Sequence, residues 1–303
     1  MRRAWVIDHP AHARLLAPLM RELASTEDVI IACERKEVRA MIEHGDGHLP
    51  RRKTIWVPRA TGKGRYRKAL TRLFKSKRAL KGFEQVISIG APLEIRAAPR
   101  SAQKIYITDT EVNHLAHKLA RSRATDIVIP THFREDISGP LLKTKAQIHR
   151  IEGLHGHVHL RPSLRPRVAS RPPRILLRRL KGDGIHDRNE IKTIAEDWLS
   201  SFDITLADEG EFSGDPWSLD SLIASMDGVM TQSTTLASEA VLLGVPTLLV
   251  SNAQRGFLDA LGKNKLLIRN DFTAFNELLL QPGESDSEWP DTRQQLTQII
   301  ENL

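Results

Sequence analysis

The chain has 303 residues, of which 40% are hydrophobic and 27% are charged, a composition typical of folded globular proteins. A chain of that length is longer than one domain with a single hydrophobic core ordinarily has, so we expect two domains. The single cysteine, Cys33, excludes an internal disulfide and a cysteine-based metal cluster, and no apolar run reaches the roughly 20 residues of a membrane-spanning helix. The N-terminal segment MRRAWVIDHP is interrupted by Asp8 and lacks a signal-peptide core, so we expect a cytoplasmic protein.

The formal net charge of +8 is concentrated in one segment of the chain. Between Arg51 and Lys81 there are thirteen Lys and Arg residues and no Asp or Glu. A local excess of this kind predicts an anionic partner at that place.

Strand and helix signals alternate through the first half of the chain, a pattern that predicts a parallel, doubly wound sheet. The predicted strands are 4–7, 28–33, 54–57, 85–89, 104–108 and 126–129. The predicted helices are 13–24, 36–44, 66–81, 93–98 and 113–120. Pro18 lies inside the first of these helices and is expected to weaken or kink it.

The segment 161–173 contains four prolines and four arginines, which rules out a regular helix or a central strand there. We interpret it as a linker between an N-terminal domain, 1–160, and a C-terminal domain, 174–290. The predicted strands of the second domain are 175–177, 203–206, 228–230 and 247–250, and its helices are 190–200, 219–225 and 234–243. A last helix, 291–303, is expected to pack back on the first domain.

The segment from Thr231 to Val250, TQSTTLASEAVLLGVPTLLV, has the form strand end, turn, helix and strand. Small hydroxyl residues at the start of its helix leave backbone N–H groups that favour a phosphate oxygen. Glu239 follows one to two turns later and can accept two hydrogen bonds from a ribose. An ordinary capped helix that binds nothing is the alternative. Gly244 and Pro246 end the helix.

The same segment resembles the donor-nucleotide motif of the non-hydrolysing UDP-N-acetylglucosamine 2-epimerases and of GT-B glycosyltransferases. The resemblance rests on Ser233 and Glu239, followed by an alanine, a glycine and a proline at matching spacing. It implies that Ser233 cradles a diphosphate and that Glu239 holds the ribose. Thr234 and Thr235 replace the two glycines of the epimerases, and a β-branched residue cannot adopt glycine conformations.

A second resemblance, to the uncharacterised DUF354 family of GT-B relatives, covers most of the chain in order. It rests on Asp8-His-Pro-Ala-His12, on Asp109-Thr-Glu111 and on Gly153-Leu154. The resemblance implies an α/β fold with two Rossmann-like domains facing across a cleft, of the GT-B type. In the epimerases, acidic residues of the first domain face the sugar, so the resemblance to them implies that Asp109 or Glu111 serves as a base or a hydroxyl anchor.

Four residues follow predicted strands of the first domain at the carboxyl edge of the sheet, where ligands of such sheets bind. They are the candidate catalytic residues His9, His12, Asp109 and Glu111. A neutral histidine there can act as a general base or donate to a phosphate. The alternative is helix capping, by Asp8 or His9 before the first helix and by Asp109 or Thr110 before a later one.

Other segments carry weaker signals. His155, His157 and His159 alternate, so a strand would place them on one face; zinc binding and contact with a substrate at the hinge are both open, and no metal site is assigned. The turn Lys181-Gly-Asp-Gly-Ile-His186 can approach a phosphate. The remaining candidate substrate ligands are Arg178, His186, Gln254 and Arg255.

The basic segment contains the loop TGKGRY, and Lys63, Arg65 and Arg67 are its candidate acceptor-binding residues. An anionic glycan, a lipid-linked phosphate and a membrane surface are the candidate partners, and a solvated basic face is the alternative. Few aromatic residues accompany the charges and no RNA-binding signature is present, which argues against nucleic acid.

We therefore predict a metal-independent GT-B-like glycosyltransferase that takes a nucleoside-diphosphate sugar as substrate and needs no cofactor. A nucleotide-sugar 2-epimerase-type isomerase and a non-catalytic nucleotide-sugar-binding protein are the two alternatives.

Overall fold

The computed structural model describes residues 1–161, 171–181, 190–208, 214–280 and 289–303. The chain forms two compact units. The first unit contains Met1–His159 and Asp291–Leu303, and the second contains Leu160–Pro290. Most of the predicted linker, residues 162–170, lies outside the described residues.

The first unit is built on a seven-stranded parallel sheet with the strand order β3-β2-β1-β4-β5-β6-β7. Its strands are β1 (Arg3–Ile7), β2 (Val29–Cys33), β3 (Lys53–Val57), β4 (Gln85–Ile89), β5 (Gln103–Ile107), β6 (Asp126–Pro130) and β7 (Gln147–Ile151). Its helices are α1 (Pro10–Leu23), α2 (Lys36–Glu43), α3 (Arg65–Ala79), α4 (Pro92–Ala97), α5 (His114–Ala120) and α6 (Gly156–His159).

Apolar runs explain why the central strands of this sheet are buried. Every residue of β2, β4 and β6 is buried, as expected where helices cover both faces of a parallel sheet. Trp5 is fully buried in β1, and its indole N–H donates to the Asp28 carboxylate at 2.9 Å. The strand order reverses direction between β1 and β4, which is the place where parallel sheets open a crevice at their carboxyl ends.

The second unit holds a five-stranded parallel sheet with the order β12-β11-β10-β8-β9. Its strands are β8 (Arg174–Arg178), β9 (Asp203–Leu206), β10 (Gly228–Thr231), β11 (Thr247–Leu249) and β12 (Leu267–Arg269). Its helices are α7 (Leu219–Ser225), α8 (Thr234–Leu242), α9 (Gly256–Leu261) and α10 (Phe272–Leu279). Two parallel α/β sheets with helices between their strands confirm the predicted fold class of two Rossmann-like domains.

The last helix, α11 (Thr292–Asn302), belongs to the first unit. The Gln85 side-chain amide donates to the Ile300 carbonyl at 2.9 Å, and the Thr292 hydroxyl donates to the Glu152 carbonyl at 2.7 Å. Arg293 pairs with Glu22 of α1. These contacts attach the end of the chain to the sheet from which it began.

The helix predicted for 190–200 is wrong. The backbone there bonds to the neighbouring strand instead: the Lys192 N–H donates to the Val250 carbonyl, and the Asn252 N–H to the Glu190 carbonyl. Only Glu196–Leu199 forms a short 3-10 helix. The elements β7, α9, β12 and α10 were not predicted. The edge strand β7 is largely exposed, so it lacks the apolar run that marks a central strand.

Candidate functional site

A buried cluster of charges lies at the carboxyl edge of the first sheet. The Arg72 guanidinium of α3 donates from Nε and Nη2 to the two carboxylate oxygens of Glu94 in α4, at 2.8 and 2.7 Å. Its Nη1 donates to Asp8, directly after β1, at 2.6 Å, and the Ser76 hydroxyl donates to Glu94 at 2.9 Å. The Glu94 side chain is fully buried, so this arrangement is a bidentate pair removed from water.

The charge states of this cluster follow from the same contacts. Burial alone raises the pKa of Asp8, but the adjacent Arg72 guanidinium, together with His12 and the hydrogen bonds to the carboxylate, lowers it by more, and the pKa is about 2. Burial lowers the pKa of Arg72, and the two carboxylates more than offset that effect, so its pKa is raised. Asp8 and Arg72 are therefore ionised at neutral pH, and their role is to hold the loop after β1.

His12 lies on that loop's side of α1 and is kept neutral. The Asp8 backbone N–H donates to its Nδ1 at 3.3 Å, so the ring accepts at that nitrogen and carries its proton on Nε2. Burial lowers the pKa of His12 to about 4 in spite of the nearby Asp8 and Asp109 carboxylates. A neutral imidazole of this kind is available as a base or as a neutral donor at pH 7.

His9 serves as the N-cap of α1. Its Nδ1 accepts the Ala11 backbone N–H at 3.3 Å, and its ring centroid lies 5.9 Å from that of His12. The capping alternative that the sequence left open therefore applies to His9, because the lone pair of Nδ1 is engaged by the helix start.

Asp109 follows β5 and pairs with a residue from a distant part of the chain. Its Oδ2 lies 3.0 Å from Nδ1 of His155, and the Thr110 hydroxyl donates to its Oδ1 at 3.1 Å. Burial raises the pKa of Asp109, but His155 and the hydrogen bonds to the carboxylate together lower it by more, and the pKa is about 2. A carboxylate on Nδ1 orients an imidazole and stabilises its protonated form, which leaves Nε2 as the nitrogen that exchanges a proton.

The outer nitrogens of two histidines complete this cluster. Nε2 of His155 and Nε2 of His132 are both buried, and neither has a hydrogen-bond partner among the residues that the structure describes. Burial lowers the pKa of His132 to about 4, with Asp109 acting to raise it and His155 to lower it. The cluster of His12, Asp109, His132 and His155, which we call the histidine cluster, thus holds unsatisfied buried polar atoms of the kind found at functional sites.

Sequence reasoning missed His132 and gave His155 another role. His132 comes just after the buried strand β6, so its place at the carboxyl edge was a readable signal. His155 follows β7, the exposed edge strand that was not predicted. Its pairing with Asp109, 46 positions earlier in the chain, needs the strand order of the folded sheet.

The other candidates of the first unit are Glu111 and the three acceptor residues. Glu111 is fully buried and accepts the Arg134 backbone N–H at 3.0 Å. The alternative that Asp109 or Thr110 caps a helix is wrong, because α5 has Asn113 as its N-cap. The acceptor candidates Lys63, Arg65 and Arg67 are exposed at the start of α3.

The three alternating histidines do not lie on a strand. Gly156–His159 forms the helical turn α6, so the rings do not share one strand face. Nδ1 of His157 accepts the Leu154 backbone N–H at 2.8 Å, and burial lowers the pKa of His157 to about 4. Within the described ranges, no three His, Cys, Asp or Glu side chains are grouped to hold a metal ion.

In the second unit, the loop between β10 and α8 is organised by hydroxyl groups. The Ser233 hydroxyl is the N-cap of α8 and accepts the Leu236 backbone N–H at 3.3 Å. The Thr231 hydroxyl accepts the Ser233 N–H at 2.9 Å and donates to the Arg178 carbonyl at 3.3 Å. These hydrogen bonds hold the loop at the carboxyl edge of the sheet, where the first turn of α8 begins.

The threonines that replace the glycines fit this geometry. Thr234 and Thr235 are the first two residues of α8, and helical backbone does not require glycine. Thr235 is exposed and Glu239, one turn further on, is buried. The helix ends as predicted at Gly244, whose φ of 73° is left-handed, and the Val245 N–H returns to the Ala240 carbonyl at 2.9 Å.

Two predicted ligands of this unit already have protein partners. The Arg255 guanidinium makes a bidentate pair with Glu190, at 2.9 and 2.8 Å, and is buried. The Arg178 side chain donates to the Ala207 carbonyl at 3.2 Å. Gln254 is exposed, and His186, with most of its glycine-rich turn, lies outside the described residues. Arg255 therefore braces the loop after β11, and its charge is not available to a ligand while Glu190 holds it.

Comparison with solved structures gives full-length matches. The UDP-GlcNAc 2-epimerase from Methanocaldococcus jannaschii matches with a TM-score of 0.66 and 12% identity over 100% of both chains. The Neisseria meningitidis UDP-GlcNAc 2-epimerase bound to UDP-GlcNAc matches with a TM-score of 0.57 and 12% identity, over 100% of this chain and 99% of that one. MurG from Acinetobacter baumannii matches with a TM-score of 0.52 and 12% identity over 100% of both.

The fold is of the GT-B type. At 12% identity the likeness establishes this fold and leaves the reaction open. No protein-family model and no curated protein matches the sequence, so membership of the DUF354 family stays a prediction. None of the helices in the described ranges has both the length and the apolar composition that a bilayer-spanning segment requires.

Proposed function

We propose that the protein is an enzyme that binds a nucleoside-diphosphate sugar and acts on its sugar through the histidine cluster. The observation that carries the proposal is the pair of Asp109 and His155, with a buried and unpartnered Nε2 at the carboxyl edge of the first sheet. Such a pair is suited to moving a proton, and the GT-B likeness supports a nucleotide sugar as the molecule on which it works.

The diphosphate is assigned to the start of α8 in the second unit. Two N–H groups of its first turn, those of Thr234 and Thr235, point along the helix axis, and the helix dipole adds positive potential there. Ser233 shapes this turn, and Glu239 is the proposed partner of the ribose. The proposal needs no metal ion and no cofactor, because amide groups and a helix end can stabilise a departing diphosphate.

Glycosyl transfer is the leading reaction. In that reaction a base takes the proton of an acceptor hydroxyl, the acceptor oxygen forms a bond to the anomeric carbon, and the diphosphate leaves with the electron pair of the broken bond. His155, held by Asp109, is the proposed base, and His12 is a second candidate. An anionic or lipid-linked glycan is the proposed acceptor, because Lys63, Arg65 and Arg67 present exposed positive charge.

Epimerisation at C2 of the sugar is the second candidate, because two of the matching structures that we describe are UDP-GlcNAc 2-epimerases. That reaction needs a base and an acid on opposite faces of the sugar, and the histidine cluster offers more than one imidazole. The two reactions separate without any acceptor. Incubation with UDP-GlcNAc in D₂O is expected to introduce deuterium at C2 only if the chain is an epimerase, as read by proton NMR.

Binding is tested with uridine nucleotides and a matched pair of substitutions. Thr235→Asp places a carboxylate in the first turn of α8, where it favours the helix but repels a phosphate. We expect the Kd for UDP and UDP-GlcNAc, measured by calorimetry, to rise at least about tenfold. Thr273→Asp is the control, because Thr273 is exposed and holds the same second position in α10.

The same substitutions can contradict the proposed diphosphate site. If Thr235→Asp and Thr273→Asp leave binding equally unchanged, the start of α8 is not the diphosphate site. A thermal-shift screen of nucleotides and nucleotide sugars extends the test to other bases, since a ligand at 100 times its Kd adds about 2.7 kcal/mol of stability. No shift with any of them contradicts nucleotide binding altogether. If a nucleotide sugar binds but is not turned over, and His155→Gln leaves its Kd unchanged, the protein is a non-catalytic binding protein.

A further inference from the structure

The outward face of α3 carries a row of large apolar side chains. Tyr66, Leu70 and Phe74 are 73%, 56% and 68% exposed, and they follow one another at intervals of four residues. That spacing places them in one stripe along the helix, which we call the α3 stripe. The opposite face of the same helix is anchored to the protein through the buried residues Arg72 and Ser76.

The contacts that hold α3 leave the α3 stripe exposed. The buried face of α3 makes polar contacts to Asp8 and Glu94, which fix the orientation of the helix. With that face fixed, the three apolar side chains point into water, which is unfavourable for each of them. A contiguous patch of large exposed apolar side chains is typical of a surface that contacts another molecule.

Positive charge surrounds the α3 stripe. Arg67 lies three residues before Leu70, and Lys77 and Arg78 lie three and four residues after Phe74, so all three border it on the helix surface. None of these three cations forms an ion pair with any residue in the described ranges. The whole segment from Arg51 to Lys81 has no acidic residue that would neutralise them.

We propose that the α3 stripe and its bordering cations dock the protein on the surface of a bilayer that contains anionic phospholipids. Phe74, Leu70 and Tyr66 would enter the boundary between headgroups and acyl chains, with the axis of α3 in the plane of the membrane. The bordering cations would lie at the level of the lipid phosphates, where each adds to the attraction. The role is peripheral binding and is independent of whether the protein binds a nucleotide.

The charge around the α3 stripe favours an anionic bilayer over a second copy of the chain and over a single-stranded nucleic acid. A symmetric dimer through the α3 stripe would bring Arg67, Lys77 and Arg78 against their own copies, and like charges across an interface oppose association. Single-stranded nucleic acid binds through bases stacked on aromatic rings, and Leu70, at the middle of the row, offers no ring. An anionic lipid surface satisfies both the apolar and the cationic parts of the patch.

The test is flotation of the full chain with vesicles. One set contains phosphatidylcholine alone, and the other contains phosphatidylcholine and phosphatidylglycerol in equal parts. The variant Leu70→Ser/Phe74→Ser removes apolar anchors, and Lys77→Glu/Arg78→Glu reverses the bordering charge. The controls are Leu115→Ser, at an apolar side chain 65% exposed elsewhere in the first unit, and Lys263→Glu/Lys265→Glu, at exposed lysines of the second unit.

We expect the wild-type chain to float with the phosphatidylglycerol vesicles and not with phosphatidylcholine alone. Each α3 double variant is expected to lower the bound fraction at least about tenfold, with both control variants at the wild-type level. Added salt should weaken the wild-type protein's binding. Circular dichroism establishes that each variant is folded.

Four results would overturn the proposal. The first is no flotation of the wild-type chain with either vesicle. The second is equal loss in an α3 variant and its control. The third is a wild-type dimer, seen by sedimentation equilibrium, that Leu70→Ser/Phe74→Ser dissociates. The fourth is an RNA complex that the same variant loses, without any vesicle binding by the wild-type chain. Nucleotide affinity, measured on the same preparations, is expected to be unchanged in every variant.

Discussion

The carboxyl edges of the two sheets are built from different chemistry. In the first unit the edge carries ionised and titratable side chains, among them Asp8, Asp109 and His155, held by buried pairs. In the second unit the same edge, at the start of α8, is organised by hydroxyl groups and backbone N–H groups. The first arrangement can move protons, and the second can hold an anion without any change of protonation.

The contrast also concerns how each edge resists deformation. Arg72 joins two helices and the loop after β1 through a pair that is almost wholly buried. Arg255 joins two loops of the second unit through Glu190, whose side chain is 23% exposed. A buried pair is costly to break because its remaining charge is stranded away from water, so the two edges should differ in their sensitivity to mutation.

The largest expected effect is on catalysis at the first edge. If His155 is the base, His155→Gln and Asp109→Asn should each lower turnover of UDP-GlcNAc by about 10²- to 10⁴-fold. The Kd for UDP should stay within about twofold, because the diphosphate is assigned to the other edge. The matched control is His44→Gln, at an exposed histidine just after α2. Equal turnover in all three variants would remove His155 from the mechanism.

The second effect is on stability and compares the two pairs directly. Glu94→Ala removes the bidentate partner of the buried Arg72 guanidinium, leaves Asp8 as its remaining carboxylate, and should lower the free energy of unfolding by about 3 to 5 kcal/mol. Glu190→Ala removes a carboxylate that is 23% exposed, so water can take its place beside Arg255, and the substitution should cost about 1.5 to 3 kcal/mol. Urea denaturation followed by circular dichroism measures both.

The exposed pair of Arg51 and Asp46 provides the control for these two variants. Arg51→Ala is expected to leave the urea midpoint unchanged, because solvent screens both charges. If Glu94→Ala and Arg51→Ala shift the midpoint equally, the pair of Arg72 and Glu94 does not brace the first edge.

The third effect is a pH dependence that arises from buried histidines of the first unit. Burial lowers the pKa of His12, His132 and His157 from 6.5 to about 4, so the unfolded chain binds more protons than the folded chain between those values. Stability should therefore fall as the pH is lowered from about 6.5 to about 4, by about 1 to 3 kcal/mol for each histidine. Urea midpoints at several pH values measure the slope.

His132→Gln should reduce this slope, because glutamine does not titrate. His44→Gln should leave it unchanged, since His44 is exposed. A wild-type slope that survives His132→Gln in full would mean that His132 is not held neutral by burial.

The smallest effect concerns the second edge. Ser233→Ala removes the hydroxyl that accepts the Leu236 N–H and should lower the free energy of unfolding by about 1 kcal/mol. Thr235→Ala, at an exposed position of the same helical turn, should change it by less than about 0.5 kcal/mol. Equal effects of the two substitutions on the thermal midpoint would show that Ser233 does not cap α8.

The two edges also differed in how well the sequence predicted them. The start of α8 was readable, because a buried strand, a Ser N-cap and a C-terminal Gly244 are local signals within one short segment. The helix limits agree with the prediction to one residue. The bidentate pair of Arg255 and Glu190 was not readable, because its members come from separate loops.

At the first edge the sequence indicated the positions of His9, His12 and Asp109 but not their partners. The capping role of His9 and the pairing of Asp109 with His155 depend on side-chain directions that periodicity does not carry. The alternation of the three histidines would place them on one face of a strand, and the structure has a helical turn there. Alternation is a weak signal over so few residues.

By itself the sequence determined the alternation of strands and helices, the fold class that follows from it, and the concentration of charge between Arg51 and Lys81. These properties depend on hydrophobic periodicity and composition, which are local. Only the tertiary structure decided that Arg72 is buried against Glu94 while its neighbours on α3 face water, and that His155 meets Asp109. Those outcomes depend on strand order and helix rotation, which bring together residues that are far apart in the chain.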